Sequence, residues 1–233
     1  MDFALKLHEL FNKQARYCFS PNGKQTHPCL PFDDKQIPKN GIYIIFENGE
    51  TVQGMARIVR VGTHTGNNQL RSRLKQHFIN KNKNRSIFRK NIGRCFLAQE
   101  NPEYLPIWEL DITPRLGREE KLKKIDKDYE NNLEEKISEY IQNNLSFCVF
   151  EVPTKDDRLY WESKIISTLA KSSETKPSDT WLGNHSTKLK IRQSGLWQVN
   201  SLNNECLDKE DFELLSQLVQ QTAKPNEMAS VLM

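Results

Sequence analysis

Residues 41–62 read GIYIIFENGETVQGMARIVRVG, and the reading of this stretch decides the fold. Two apolar, β-branched runs, residues 41–47 and 56–62, flank NGETVQG, whose glycines and asparagine mark a chain reversal. The pattern predicts an antiparallel hairpin. Alternation along the first run sets Ile42 and Ile44 on one face and Tyr43 on the other. Taken alone, Tyr43 is either a packing residue whose hydroxyl reaches solvent or a residue placed for chemistry.

Working outward, Leu70, Leu74 and Phe78 lie at helical spacing and predict a helix over 70–79, with a second over 86–97. Residues 117–143 are long, highly charged and read as one helix. SFCVFEV, residues 146–152, supplies a third strand, and residues 156–171 a further helix. On the N-terminal side stands an amphipathic helix within residues 1–18, then a proline-punctuated connector, SPNGKQTHPCLPFDDKQIPKN. Beyond Asp208 the tail holds one amphipathic helix, DFELLSQLVQQ, and a loose end. The expected architecture is a small α/β (α+β) domain, a three-stranded antiparallel sheet flanked by helices. It divides into residues 1–39 (helix and connector), 40–186 (the domain, with a helical insertion near 117–143) and 187–233 (a C-terminal extension).

Composition bounds the class. The chain has 233 residues, enough to bury a sizeable core, and no apolar run approaches a membrane span. Asp2 stands where a signal peptide would carry positive charge, so nothing directs export and the expected location is the cytoplasm. The five cysteines are odd in number, scattered and without a CxxC pair, and read as reduced thiols with no zinc site. The net charge of +4 is unevenly spread. Residues 51–99 contain no Asp or Glu but eleven Lys and Arg, whereas 100–140 are rich in acids interleaved with lysines. Lys75, Lys81, Lys83, Arg85, Arg89 and Lys90 therefore read as contacts for a phosphate-bearing partner, against the plainer reading of a solvated face.

Three positions carry chemistry beyond packing. Tyr43 is the first. Arg73 and His77, four residues apart, share a helix face and are the second. Glu162 is the third: it sits on a stripe with Ile165, Ile166 and Leu169, where a desolvated carboxylate needs a partner or a metal. Its plainer reading is a favourable charge in an early helical turn.

In this order the residues resemble the GIY-YIG nuclease superfamily. Gly41, Ile42 and Tyr43 match the first signature; Arg60, Val61 and Gly62 stand where the second would be; Arg73 precedes His77 by four residues on the first helix; Glu162 follows the third strand; Asn184, in TWLGNHS, falls at the family's late asparagine. One departure matters, for the second signature reads RVG instead of YIG. Either Arg60 brings a cation to the phosphate site in place of a hydroxyl, or part of the catalytic equipment is lost; the first is favoured because the other residues remain. His64, two residues past Gly62, is a turn residue or a phosphate contact.

The resemblance implies phosphodiester hydrolysis. Tyr43 takes the proton from the attacking water with His77 assisting, Arg73 grips the scissile phosphate through its planar fork, and Glu162 holds Mg2+, for which Mn2+ can substitute. Asn184 positions the glutamate or the backbone. The implied partner is double-stranded DNA and the implied style that of a restriction or defence endonuclease, acting as a homodimer to cut both strands. A structure-specific repair nuclease and an inactive nucleic-acid-binding module are the alternatives.

Overall fold

The computed structural model describes residues 2–19 and 28–223. In chain order its elements are α1 (Phe3–Asn12), β1 (Tyr17–Cys18), β2 (Leu30–Pro31), β3 (Gly41–Val52), β4 (Met55–Gly62), α2 (Leu70–Phe78), α3 (Ile87–Glu100), α4 (Leu105–Trp108), α5 (Arg118–Lys123), α6 (Lys127–Asn144), β5 (Leu145–Glu151), α7 (Lys155–Lys171), α8 (Leu189–Ser194) and α9 (Lys209–Thr222). The predicted hairpin is present. It turns tightly at Gln53 and Gly54, both left-handed (φ 48° and 79°), the backbone that a two-residue hairpin turn requires. β3 therefore runs five residues further than the apolar pattern implied, through a bulge that holds Gly49 at φ 83°.

The mixed sheet has the order β2-β1-β5-β3-β4. Its centre is the expected three-stranded antiparallel unit; two two-residue strands extend one edge. They form because Tyr17 and Cys18 pair in parallel with Leu30 and Pro31, and the same pairing brings Cys18 and Cys29 to a Cα separation of 5.8 Å. These two cysteines form a disulfide, which corrects the reading of five free thiols; Cys95, Cys148 and Cys206 remain free.

The alternation at Tyr43 splits the core in two. Ile42, Ile44 and Phe46 face a cluster with Leu7, Phe11, Ile165 and Leu215 from α1, α7 and α9. Tyr43 and Ile45 face the other, with Leu74, Phe78, Phe88, Ile92 and Ile137 from α2, α3 and α6. A one-residue bulge opposite Ile45 keeps Val59 and Arg60 together before the register resumes.

Two further expectations change. The charged segment 117–143 is two helices: α5 ends at Lys123, and the Asp126 carboxylate starts α6 afresh by accepting from Tyr129 N at 3.0 Å. Past residue 187 the chain is integral to the core: Trp197 N donates to Val59 O (2.8 Å), Val61 N donates to Gln198 Oε1 (2.9 Å), and α9 contributes Leu215 and Val219. The stretch after α9, expected to be loose, lies outside the described residues from 224 onward. Among the described residues no helix is long and apolar enough to cross a membrane.

Candidate active site

Helices from opposite faces of the sheet converge where β4 ends. α2 brings Ser72, Arg73 and Gln76, with Gln69 just before it, α7 brings Leu159 and Glu162, and the turn after Gly62 brings Thr63, His64 and Thr65, enclosing a cleft of about 370 Å³. α7 is held to this end by Arg158, fully buried, which donates to Pro153 O (2.7 Å) and His64 O (3.3 Å). One turn further along, Glu162 Oε1 accepts from Thr63 N at 3.0 Å, while Thr63 Oγ1 donates to Gly41 O at 2.7 Å. The two signature strands and the glutamate are thereby tied at one point. Burial raises the Glu162 pKa above the usual carboxylate value; Arg60, the Thr63 amide and Arg73 oppose the shift.

Arg73 Nη1 donates to Gln76 Oε1 and to Arg85 O, both at 3.0 Å, and leaves the rest of its fork to the cleft. Tyr43 and His77 lie behind this wall, 1% and 0% exposed, and neither lines the cleft. Tyr43 Oη meets His77 Nε2 at 2.8 Å, and His77 Nδ1 meets Ser86 Oγ at 2.7 Å. Burial, then the cations of Arg60, Arg73 and Arg89, push the His77 pKa well below its ordinary value, so the ring is neutral. Gly62 makes room for the pair: a Cβ there would stand 2.1 Å from Tyr43 Oη.

Of the remaining residues of interest, Arg60 and Asn184 fall elsewhere. Arg60 is 7% exposed, lies over the Phe88 ring (4.9 Å) and donates Nη1 to Trp197 O, while its Nε has no partner. It contributes field to Glu162 and His77 without lining the cleft. Asn184 donates to Ser178 O (2.9 Å) and Asp179 O (3.1 Å); it fixes backbone there and does not reach Glu162. His64 lines the cleft within the turn, accepting from Gly41 N at Nε2 (3.3 Å) and donating from Nδ1 to Gly66 O (2.6 Å).

The basic run changes most on folding. Lys83 pairs with Glu130 at 2.5 Å and Arg89 with Glu134 at 2.7 Å, both cations being buried. Lys75 pairs with Asp34, Lys81 with Glu135, and Lys90 with Glu109 at 3.4 Å. Of the six expected phosphate contacts, only Arg85 is exposed without a side-chain partner among the described residues. Acids distant in sequence neutralise the run, since α6 folds directly onto it. Sequence reasoning also missed Thr63, Arg158 and Ser86. Ser86 carried a legible signal, a serine just before an apolar helical run, and it caps α3 by accepting from Arg89 N at 3.2 Å.

Glu162 Oε2 has no hydrogen-bond partner among the described residues, and no group of three or more His, Cys, Asp or Glu stands together there. One free carboxylate oxygen in a polar cleft suits a hard divalent cation that keeps waters and takes its remaining ligands from a substrate.

A signature hairpin whose tyrosine meets a histidine from the next helix, with a glutamate brought over the hairpin's end, frames a nuclease-type domain. The family model described as GIY-YIG domain matches residues 27–225, and the chain belongs to that family. No curated protein and no solved structure gives a significant match.

Proposed function

We propose that the protein is a divalent-metal-dependent endonuclease that hydrolyses phosphodiester bonds in double-stranded DNA, of the restriction or defence type, acting as a homodimer. The observation that carries this reading is the convergence of Glu162 and Arg73 on one cleft, whose lining residues Thr63 and Gln76 are chain neighbours of Gly62, which packs on Tyr43, and of His77. Arg73 binds the scissile phosphate, exchanging its bonds to Gln76 and Arg85 for phosphate oxygens. For Tyr43 to reach the attacking water its hydroxyl, buried in the free protein, has to be uncovered as substrate binds. With His77 Nδ1–H donating to Ser86, Nε2 accepts the Tyr43 hydrogen and leaves Oη lone pairs for the attacking water, whose proton Tyr43 takes as its own moves toward Nε2. Glu162, kept in place by Thr63 N, holds the cation, Mg2+ or in its stead Mn2+, through its free oxygen. When bound, the cation supplies positive charge to the phosphate and departing oxygens. Arg60 acts at one remove, through its field.

The placement of Arg60 also supports a second reading, a DNA-binding module that does not cut, since its guanidinium is committed to Trp197 O. Incubating the protein with supercoiled plasmid in Mg2+, in Mn2+ and in chelator separates the two. Discrete, chelator-sensitive bands are expected. Retardation of the plasmid with no nick under any metal would leave the binding module.

A further inference from the structure

A second cleft, of about 360 Å³, lies on the far side of the loop that Arg73 touches. Its floor is made of charges that satisfy one another: Lys83 with Glu130, and Glu134, which accepts from Lys83 N at 2.6 Å while pairing with Arg89. Its rim is different. Asn84, Arg85, Arg118 and Asn131 line the cleft, and no side chain among these four has a partner among the described residues. Overall the lining carries four cations against two carboxylates. The cleft adjoins the candidate active site, for Arg73 bonds to Arg85 O and the same loop ends at Ser86, the partner of His77.

Resting on the nuclease reading, we infer that this second cleft is the base-reading surface of the enzyme, taking the edge of a base pair beside the scissile phosphate in duplex DNA. The residue types fit that task. A free asparagine amide offers donor and acceptor side by side and can meet adenine in two hydrogen bonds, and a free guanidinium meets either guanine or phosphate. The neutralised floor matters too, because unpaired carboxylates there would repel the backbone. Asn131 projects from the exposed side of α6, a rigid element, and reads the base; Arg118, at the start of α5, holds phosphate.

The test uses binding, so that it stands apart from cleavage. Full-length protein is used without divalent ion to select duplexes from a randomised library, alongside Asn131→Ala and Arg118→Ala. Both substitutions are at exposed positions and leave the fold intact. Wild type is expected to enrich a consensus. Asn131→Ala should lose the preference at one or two adjacent positions and weaken binding to the wild-type consensus by roughly tenfold to a hundredfold. Arg118→Ala should keep the consensus, bind all sequences more weakly and lower the salt slope by about one. An Asn131→Ala consensus identical to wild type, or no consensus from wild type, would overturn the assignment. Failure to cut any DNA would instead count against the nuclease reading and leave this selection in force.

Discussion

Tyr43→Phe removes one hydroxyl from a sealed pair and leaves His77 Nε2 without its partner. The expected stability loss is about 1–3 kcal/mol, the cost of a buried unsatisfied group, so the protein still folds. Cleavage should fall by roughly 10²–10⁴, the usual contribution of a positioned acid or base. A folded variant cutting at the wild-type rate would make the pair a packing contact. Gly62→Ala attacks the same atoms from the other strand, because its Cβ would have to displace the tyrosine ring. It should lower stability by about 1–3 kcal/mol through overpacking and impair cleavage together with it; an unchanged melting curve would show that the ring moves freely. Tyr43, Arg73, His77 and Glu162 were singled out through their resemblance to a family's signature order; Arg73 and Glu162 share one cleft and Tyr43 meets His77 beside it, while their catalytic roles belong to the proposal above. Arg60 and Asn184 were legible as positions but not as contacts, since Trp197 and the 178–179 backbone reach them across long sequence separations.

At the scale of elements, α1 is joined to β4 through His8, whose Nδ1–H donates to Ala4 O (2.7 Å) and whose Nε2 accepts from Ile58 N (3.0 Å). This requires a neutral ring, and burial lowers its pKa from 6.5 to about 4. Between those values the unfolded chain binds the proton and the folded one does not, so stability rises with pH across this window and is lost as pH falls through it. The shift corresponds to roughly 3 kcal/mol. Urea unfolding at several pH values should show that slope, to which His77 adds in the same direction, and His8→Gln should flatten it. An unchanged slope in His8→Gln would place the acid sensitivity elsewhere. The central strands and the helices α1, α2, α3, α7 and α9 were readable from apolar pattern; the short helices α4 and α8, of four and six residues, were not. The two short edge strands were not, since two-residue strands carry no period, and the break before α6 hid inside a continuous run of charge.

Across the whole molecule, the charge pattern written along the chain is not the pattern on the surface. Folding lays α6 on the basic run, so Lys83 and Arg89 serve the core while Arg85 faces outward. Lys83→Ala should therefore act mainly on stability, costing about 3–5 kcal/mol, the penalty for breaking a buried ion pair. Arg85→Ala should do the opposite, leaving the melting temperature unchanged while weakening DNA binding and lowering its salt slope by about one. Thermal melts and salt-dependent filter binding on the two variants check this, and equal effects on both would contradict it. The central claim, that the cleft between α2 and α7 cuts DNA with a cation held by Glu162, is tested most directly by Glu162→Gln. Glutamine keeps the size and the acceptor for Thr63 N but removes the charge that holds the cation. The account predicts a protein that melts as wild type does, binds DNA as well or better, and leaves supercoiled plasmid uncut in Mg2+. A folded Glu162→Gln protein that cuts that plasmid at the wild-type rate would contradict it.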